Sequence, residues 1–139
     1  MLERSFDAAR INEVVNHLEV RPHVGDPSYG VLDVAPLVAR PEHWFLMGEH
    51  GGFLLSWSAP GVREVHTFVL PEGRGQWAAA ARVAMIGYAK ANGTRMLWTK
   101  IDPAARHVVR FARQGGMQPT GEVIDMLGTP YNIFKMELG

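Results

Sequence analysis

The stretch REVHTFVLPEGRGQWAAAARVAM, residues 63–85, decides how this chain folds. Residues 62–70, rich in β-branched side chains, read as a strand that stops at Pro71. A glycine–arginine loop follows, and an alanine-rich run opens a helix at Gln76 with almost no spacer. A helix that starts where a strand ends presents unpaired N–H groups and a partial positive charge there. Gly73 and Gly75 would let a backbone approach an anion closely, and Arg74 could add a charge-assisted contact. Ala78, Ala79, Ala80 and Ala81 leave room for a ligand or for the sheet. The pattern suits a pyrophosphate. It also suits an ordinary strand–helix connection, in which glycine only turns the chain and alanine only favours helix. On this segment alone both readings stand.

Working outward, the helix from Gln76 to Ala91 carries Trp77, Ala81, Ala84 and Tyr88 on one stripe and stops at Asn92-Gly93. Residues 94–101 form the next strand. A helix between two neighbouring strands is the natural right-handed crossover, which makes strands 62–70 and 94–101 adjacent and parallel. Asp102-Pro103 reads as an N-cap followed by proline at the first helical position, with the helix lasting to Arg113 or Gln114. Two strands, EVIDMLG and YNIFKMEL, close the chain around a Gly-Thr-Pro turn. Upstream, Ile11, Val14, Val15 and Leu18 mark a helix from about Asp7 to His17, capped by Ser5 or Asp7. LDVAPLVAR reads as a short helical turn ended by Pro41, and the runs 43–48 and 53–58 as a β-hairpin. The expected architecture is one α/β (α+β) domain over residues 1–139, a mixed, mostly antiparallel sheet flanked by helices.

Composition narrows the function. Lys+Arg and Asp+Glu both total 14, so no global charge recruits nucleic acid or a membrane surface. Cysteine is absent, which excludes disulfides, thiol nucleophiles and Cys-type zinc sites. The six histidines show no metal-binding spacing, and no metal is expected. The N-terminal residues lack a signal peptide's apolar core, and no apolar run is long enough to span a bilayer. A cytoplasmic protein is expected.

VLPEGRGQWAAAARVAM resembles the acyl-CoA-binding motif of the GNAT acetyltransferases, a strand ending in Val-x-Pro and an Arg/Gln-x-x-Gly-x-Gly/Ala loop opening a helix. Arg74 falls on its Arg/Gln and Ala79 on its last Gly/Ala. DPAARHVVRFARQGGMQPTGE, residues 102–122, is similar to the family's later Asn-x-x-Ala-x-x-Leu-Tyr-x-x-x-Gly-Phe segment. EVHTFVLPEGRG together with GTPYNIFKMEL looks most like small phage-encoded GNAT-like proteins, which would place the chain in a host cytoplasm. Trp77 stands where the loop's middle glycine belongs, Ala112 at the tyrosine that often protonates the departing thiolate, and Ala105 at the asparagine.

The resemblance implies acetyl-CoA as cofactor, strand ends that splay to admit its pantetheine, and transfer of the acetyl group to a primary amine by direct attack. It implies cofactor contacts from Phe68, Val69 and Leu70 at the strand end, from Gly73, Arg74, Gly75, Gln76, Trp77, Ala78 and Ala79 at the loop, and from His107. Glu64 and His66 alternate onto one face of their strand beside this cofactor and are the candidate bases. They could equally pair with each other. Trp44, Trp57 and Trp98 read most simply as core, Tyr131 as a half-buried strand residue, and Trp77 as either a stacking platform or a plug. The acceptor would be a small molecule or a protein amine, with a homodimer left open. The alternative is a non-catalytic module of this fold in phage assembly or host interaction, which the missing tyrosine favours.

Overall fold

The computed structural model describes residues 1–139, except the side chain of Pro27. A short strand β1 (Glu3–Arg4) precedes helix α1 (Ala8–Val15), and helix α2 (Ala35–Val38) leads into the meander β2 (Trp44–Gly48), β3 (Gly51–Ala59) and β4 (Val62–Val69). Helix α3 (Gln76–Ala91), strand β5 (Met96–Ile101), helix α4 (Arg106–Gln114) and the hairpin β6 (Gln118–Met126) and β7 (Thr129–Glu137) follow. The seven strands form one sheet in the order β1-β2-β3-β4-β5-β7-β6. Every pairing is antiparallel except β4–β5, which is parallel as the crossover through α3 requires.

Alternation along the strands sends side chains to two cores. Leu46, Phe53, Leu55, Val65, Leu97 and Phe134 pack under α3 and α4. Phe45, Met47, Leu54 and Phe68 pack under α1 and α2. The α3 seam is Ala78, Ala81, Met85 and Ala89, one position round from the expected stripe, with Trp77 and Tyr88 on its flank. Small residues here let α3 lie close to the sheet.

Several boundaries differ from expectation for local reasons. Asp7 caps α1 by accepting from the Arg10 N–H at 3.0 Å, and the helix ends at Val15, leaving Leu18 exposed. Asp102-Pro103 does not start α4. The Asp102 carboxylate accepts from the Ala104 N–H at 2.9 Å in a local turn, and the helix begins at Arg106 behind an Ala105 N-cap. The last hairpin turns at Leu127-Gly128 (φ 53 and 86), so Thr129 and Pro130 lie within β7.

Candidate active site

Parallel pairing between β4 and β5 lasts only from Val62↔Met96 to Glu64↔Trp98, although the strands run on to Val69 and Ile101. The Thr99 hydroxyl donates to the Val65 carbonyl at 3.0 Å as the last link, and beyond it the strands part. Val65 therefore directs its peptide groups towards β5, whereas the Leu70 N–H turns the other way and donates to the His50 carbonyl at 2.8 Å. Alternation then puts the N–H groups of Thr67 and Val69 on the split side. This separates the three strand-end residues expected at the cofactor. Val69 aims its amide into the split, the Leu70 amide is already used, and the Phe68 ring is buried beneath α1 with its amide facing β3.

The loop after β4 opens towards this split. Pro71–Gly73 make one 3-10 turn, and Gly75 occupies φ 92, ψ −125, a conformation open to glycine alone. No side chain caps α3, so the N–H groups of its first turn, from Gln76 to Ala78, lack helical partners. Nothing lies within 4 Å of a Cβ built on Gly75. Gly73 serves packing instead of anion approach. It is buried, and a Cβ there would meet His50 Cβ at 2.4 Å, Val69 Cγ1 at 2.9 Å and Trp77 Cε3 at 3.0 Å. Trp77 turns down onto the β2–β3 hairpin, edge-on to His50 with ring centroids 5.2 Å apart and close to Gly48. Ala78 is buried against the sheet, and Ala79 is half-buried.

Arg74 bends back over α1's exit, its guanidinium donating to the Glu19 carbonyl at 3.1 Å and lying 3.8 Å from the Glu19 carboxylate. A few residues later His23 meets His107 edge-on at 5.2 Å. Burial, then the neighbouring His107 and Arg74 charges, lower the His23 pKa. Arg74 follows β4 and His107 follows β5, so the segment from Glu19 to His23 bridges the mouth of the split.

Glu64 and His66 do share a face, on the α1 side of the sheet. The Glu64 carboxylate lies 3.4 Å from His66 Nε2 and accepts from Lys100 Nζ at 2.6 Å. Ser56 Oγ sits 3.4 Å from the same His66 nitrogen. Burial pushes the Glu64 carboxyl up, but His66 and Lys100 together outweigh it and hold the group below its ordinary value. A carboxylate so held accepts protons poorly. Lys100 escaped the sequence reading. It stands two residues beyond Trp98, the register partner of Glu64, and that offset was its only signal.

The tryptophans divide. Trp44 stacks on the buried Arg63 guanidinium, 3.3 Å from its ring centroid. Trp98 donates to Ser58 Oγ at 2.9 Å beside the Glu64 cluster, and Trp57 is exposed, so neither is core. Ala112 packs with Val108 and Val109 against the α3 side of the sheet. Tyr131 is half-buried opposite Ile124.

The whole chain superimposes on solved acetyltransferase structures. The fold is that of the GNAT acetyltransferases. A GNAT-family acetyltransferase from Streptococcus pneumoniae matches with TM-score 0.78 at 11% identity, over 100% of this chain and 99% of that one. A phosphinothricin acetyltransferase of the GNAT superfamily from Sinorhizobium meliloti, solved with acetyl-CoA, matches with TM-score 0.72 at 17% identity, over 100% and 88%. A chimera involving the Vibrio cholerae spermidine N-acetyltransferase matches with TM-score 0.74 at 11% identity, over 99% and 95%. No family model and no curated protein matches the sequence. At these identities the GNAT likeness is one of architecture, and the chemistry has to be argued from the residues.

Proposed function

We propose that this chain is an acetyl-CoA-dependent N-acetyltransferase that acylates a primary amine by direct attack. The observation carrying the reading is the split between β4 and β5, which opens at the uncapped N-terminus of α3 and borders the Glu64–His66–Lys100 cluster. The pyrophosphate would lie on the amides of residues 76–78, with Gly75 offering open backbone and Arg74 exchanging Glu19 for phosphate. His107, at the start of α4, is the contact from the other bank of the split.

Acetyl-CoA supplies a thioester carbonyl, and the Val69 N–H is the donor placed to stabilise the oxyanion. His66 takes the proton from the incoming ammonium, and the Glu64 carboxylate steadies the imidazolium that results. The neutral nitrogen bonds to the carbonyl carbon, the C–S bond breaks, and the thiolate takes the proton released by the product nitrogen. With Ala112 in the tyrosine position, no side chain there performs that last transfer.

Isothermal calorimetry with CoA and thiol release from acetyl-CoA over an amine panel, spanning apolar monoamines, spermidine, an aminoglycoside and phosphinothricin, test the proposal. Binding with amine-dependent thiol release supports it. Binding without turnover favours the other reading, a non-catalytic module, which rests on Ala112 and on the resemblance to small phage-encoded proteins. We further infer a cytoplasmic setting; no helix is long and apolar enough to cross a membrane.

A further inference from the structure

On the α1 side of the sheet, beyond the reach of α1 and α2, an open groove of about 390 Å³ runs across β4, β5, β7 and β6. Its floor is Val62, Met96, Ile124 and Ile133, and Trp98 forms one wall. Trp98 also borders the cluster, because its ring centroid lies 5.5 Å from Lys100 Nζ and its Cα is the register partner of Glu64. The groove therefore continues from the place where the attacking nitrogen would stand, and its size suits the body of a small molecule.

Charge along this path is balanced. Glu64 is closed by Lys100 at 2.6 Å, and the groove's two charged residues, Glu122 and Lys135, have opposite sign. A polycation would need surplus carboxylates to receive its further ammonium groups, and the groove's one carboxylate, Glu122, is offset in charge by Lys135. Resting on the transferase reading above, we propose that the acceptor is a monoamine with an apolar body, and that the groove excludes diamines, polyamines and aminoglycosides. The single ammonium meets His66 and Glu64, while alkyl or aryl surface covers Val62, Met96, Ile124, Ile133 and the Trp98 face.

The test is a matched pair, 1-aminohexane against 1,6-diaminohexane, measured as acetyl-CoA-dependent thiol release. The monoamine should show a kcat/KM about tenfold or more above the diamine, since the second ammonium would have to enter a largely apolar groove with no net negative charge. Ile124→Glu, on the exposed edge strand β6, should shrink or reverse that ratio by providing a surplus carboxylate. Equal rates, or a preference for the diamine in the wild-type protein, would overturn the groove assignment while leaving the transferase standing. CoA binding with no turnover of any amine would overturn the transferase reading, and this inference with it.

Discussion

Gly73→Ala is the substitution whose cost the structure states most directly. The added methyl would stand 2.4 Å from His50 Cβ, about 1 Å short of an ordinary contact, and within 3.0 Å of both Val69 Cγ1 and Trp77 Cε3. His50 Cβ is attached to backbone, so the β2–β3 turn has to move, and the Trp77 ring is itself wedged between that turn and the loop. Overpacking of this kind costs about 1–3 kcal/mol. For a chain of this length that corresponds to a fall in Tm of roughly 3–10 °C. Thermal unfolding followed by circular dichroism measures it. Because the tightest of the three clashes is with His50 Cβ, His50→Gly in the Gly73→Ala background should recover about half of the loss, giving a clear coupling in the double-mutant cycle. A Tm within a degree of wild type, or strictly additive single effects, would refute the claim that Gly73 exists for packing.

Gly75→Pro should abolish measurable CoA binding by calorimetry, because proline cannot adopt φ 92. Arg74→Ala should weaken CoA binding by only about 1–2 kcal/mol, the loss of one charge-assisted contact. His66→Ala should lower kcat/KM by about 10²–10⁴-fold with CoA affinity intact, and an unchanged rate would remove it from the reaction. Glu64 has a folded-state pKa below its unfolded one, so its contribution to stability is present above the unfolded value and is lost as pH falls through the folded value. Urea unfolding between about pH 3 and pH 6 should show that loss, and Lys100→Met should flatten it.

The fold was legible because its signals are local. The β-branched run 62–70, the glycine loop and the alanine-rich helix each announce themselves, and a helix joining two strands fixes their parallel pairing. The site was legible only where strand alternation determines it, as with Glu64 and His66. Lys100 depends on the β4–β5 register, His23 on where a loop rich in proline and glycine comes to rest, and neither is encoded in nearby spacing. The role of Gly73 misled for a similar reason. A glycine beside a helix start looks the same in sequence whether an anion or a packed side chain lies against it, and here His50, Val69 and Trp77 crowd it. Asp102-Pro103 misled because an aspartate that closes a turn and one that caps a helix use the same carboxylate and the same kind of backbone donor.

The brevity of the β4–β5 junction also bears on how the chain acquires its structure. Strand pairing between the β1–β4 meander and the β5–β7–β6 sheet is limited to three residue pairs, supplemented by side-chain contacts from Thr99 to Val65, Lys100 to Glu64 and Trp98 to Ser58. Each half is held mainly by antiparallel pairing between strands close in sequence, except the longer β1–β2 and β5–β7 links. The junction closes across the whole of α3, so it costs more loop-closure entropy than the hairpins on either side and returns fewer ladder hydrogen bonds than they do. The seam between the halves is thus less locally determined than the hairpins it joins: it should form after them, and its amides should exchange with solvent sooner than theirs.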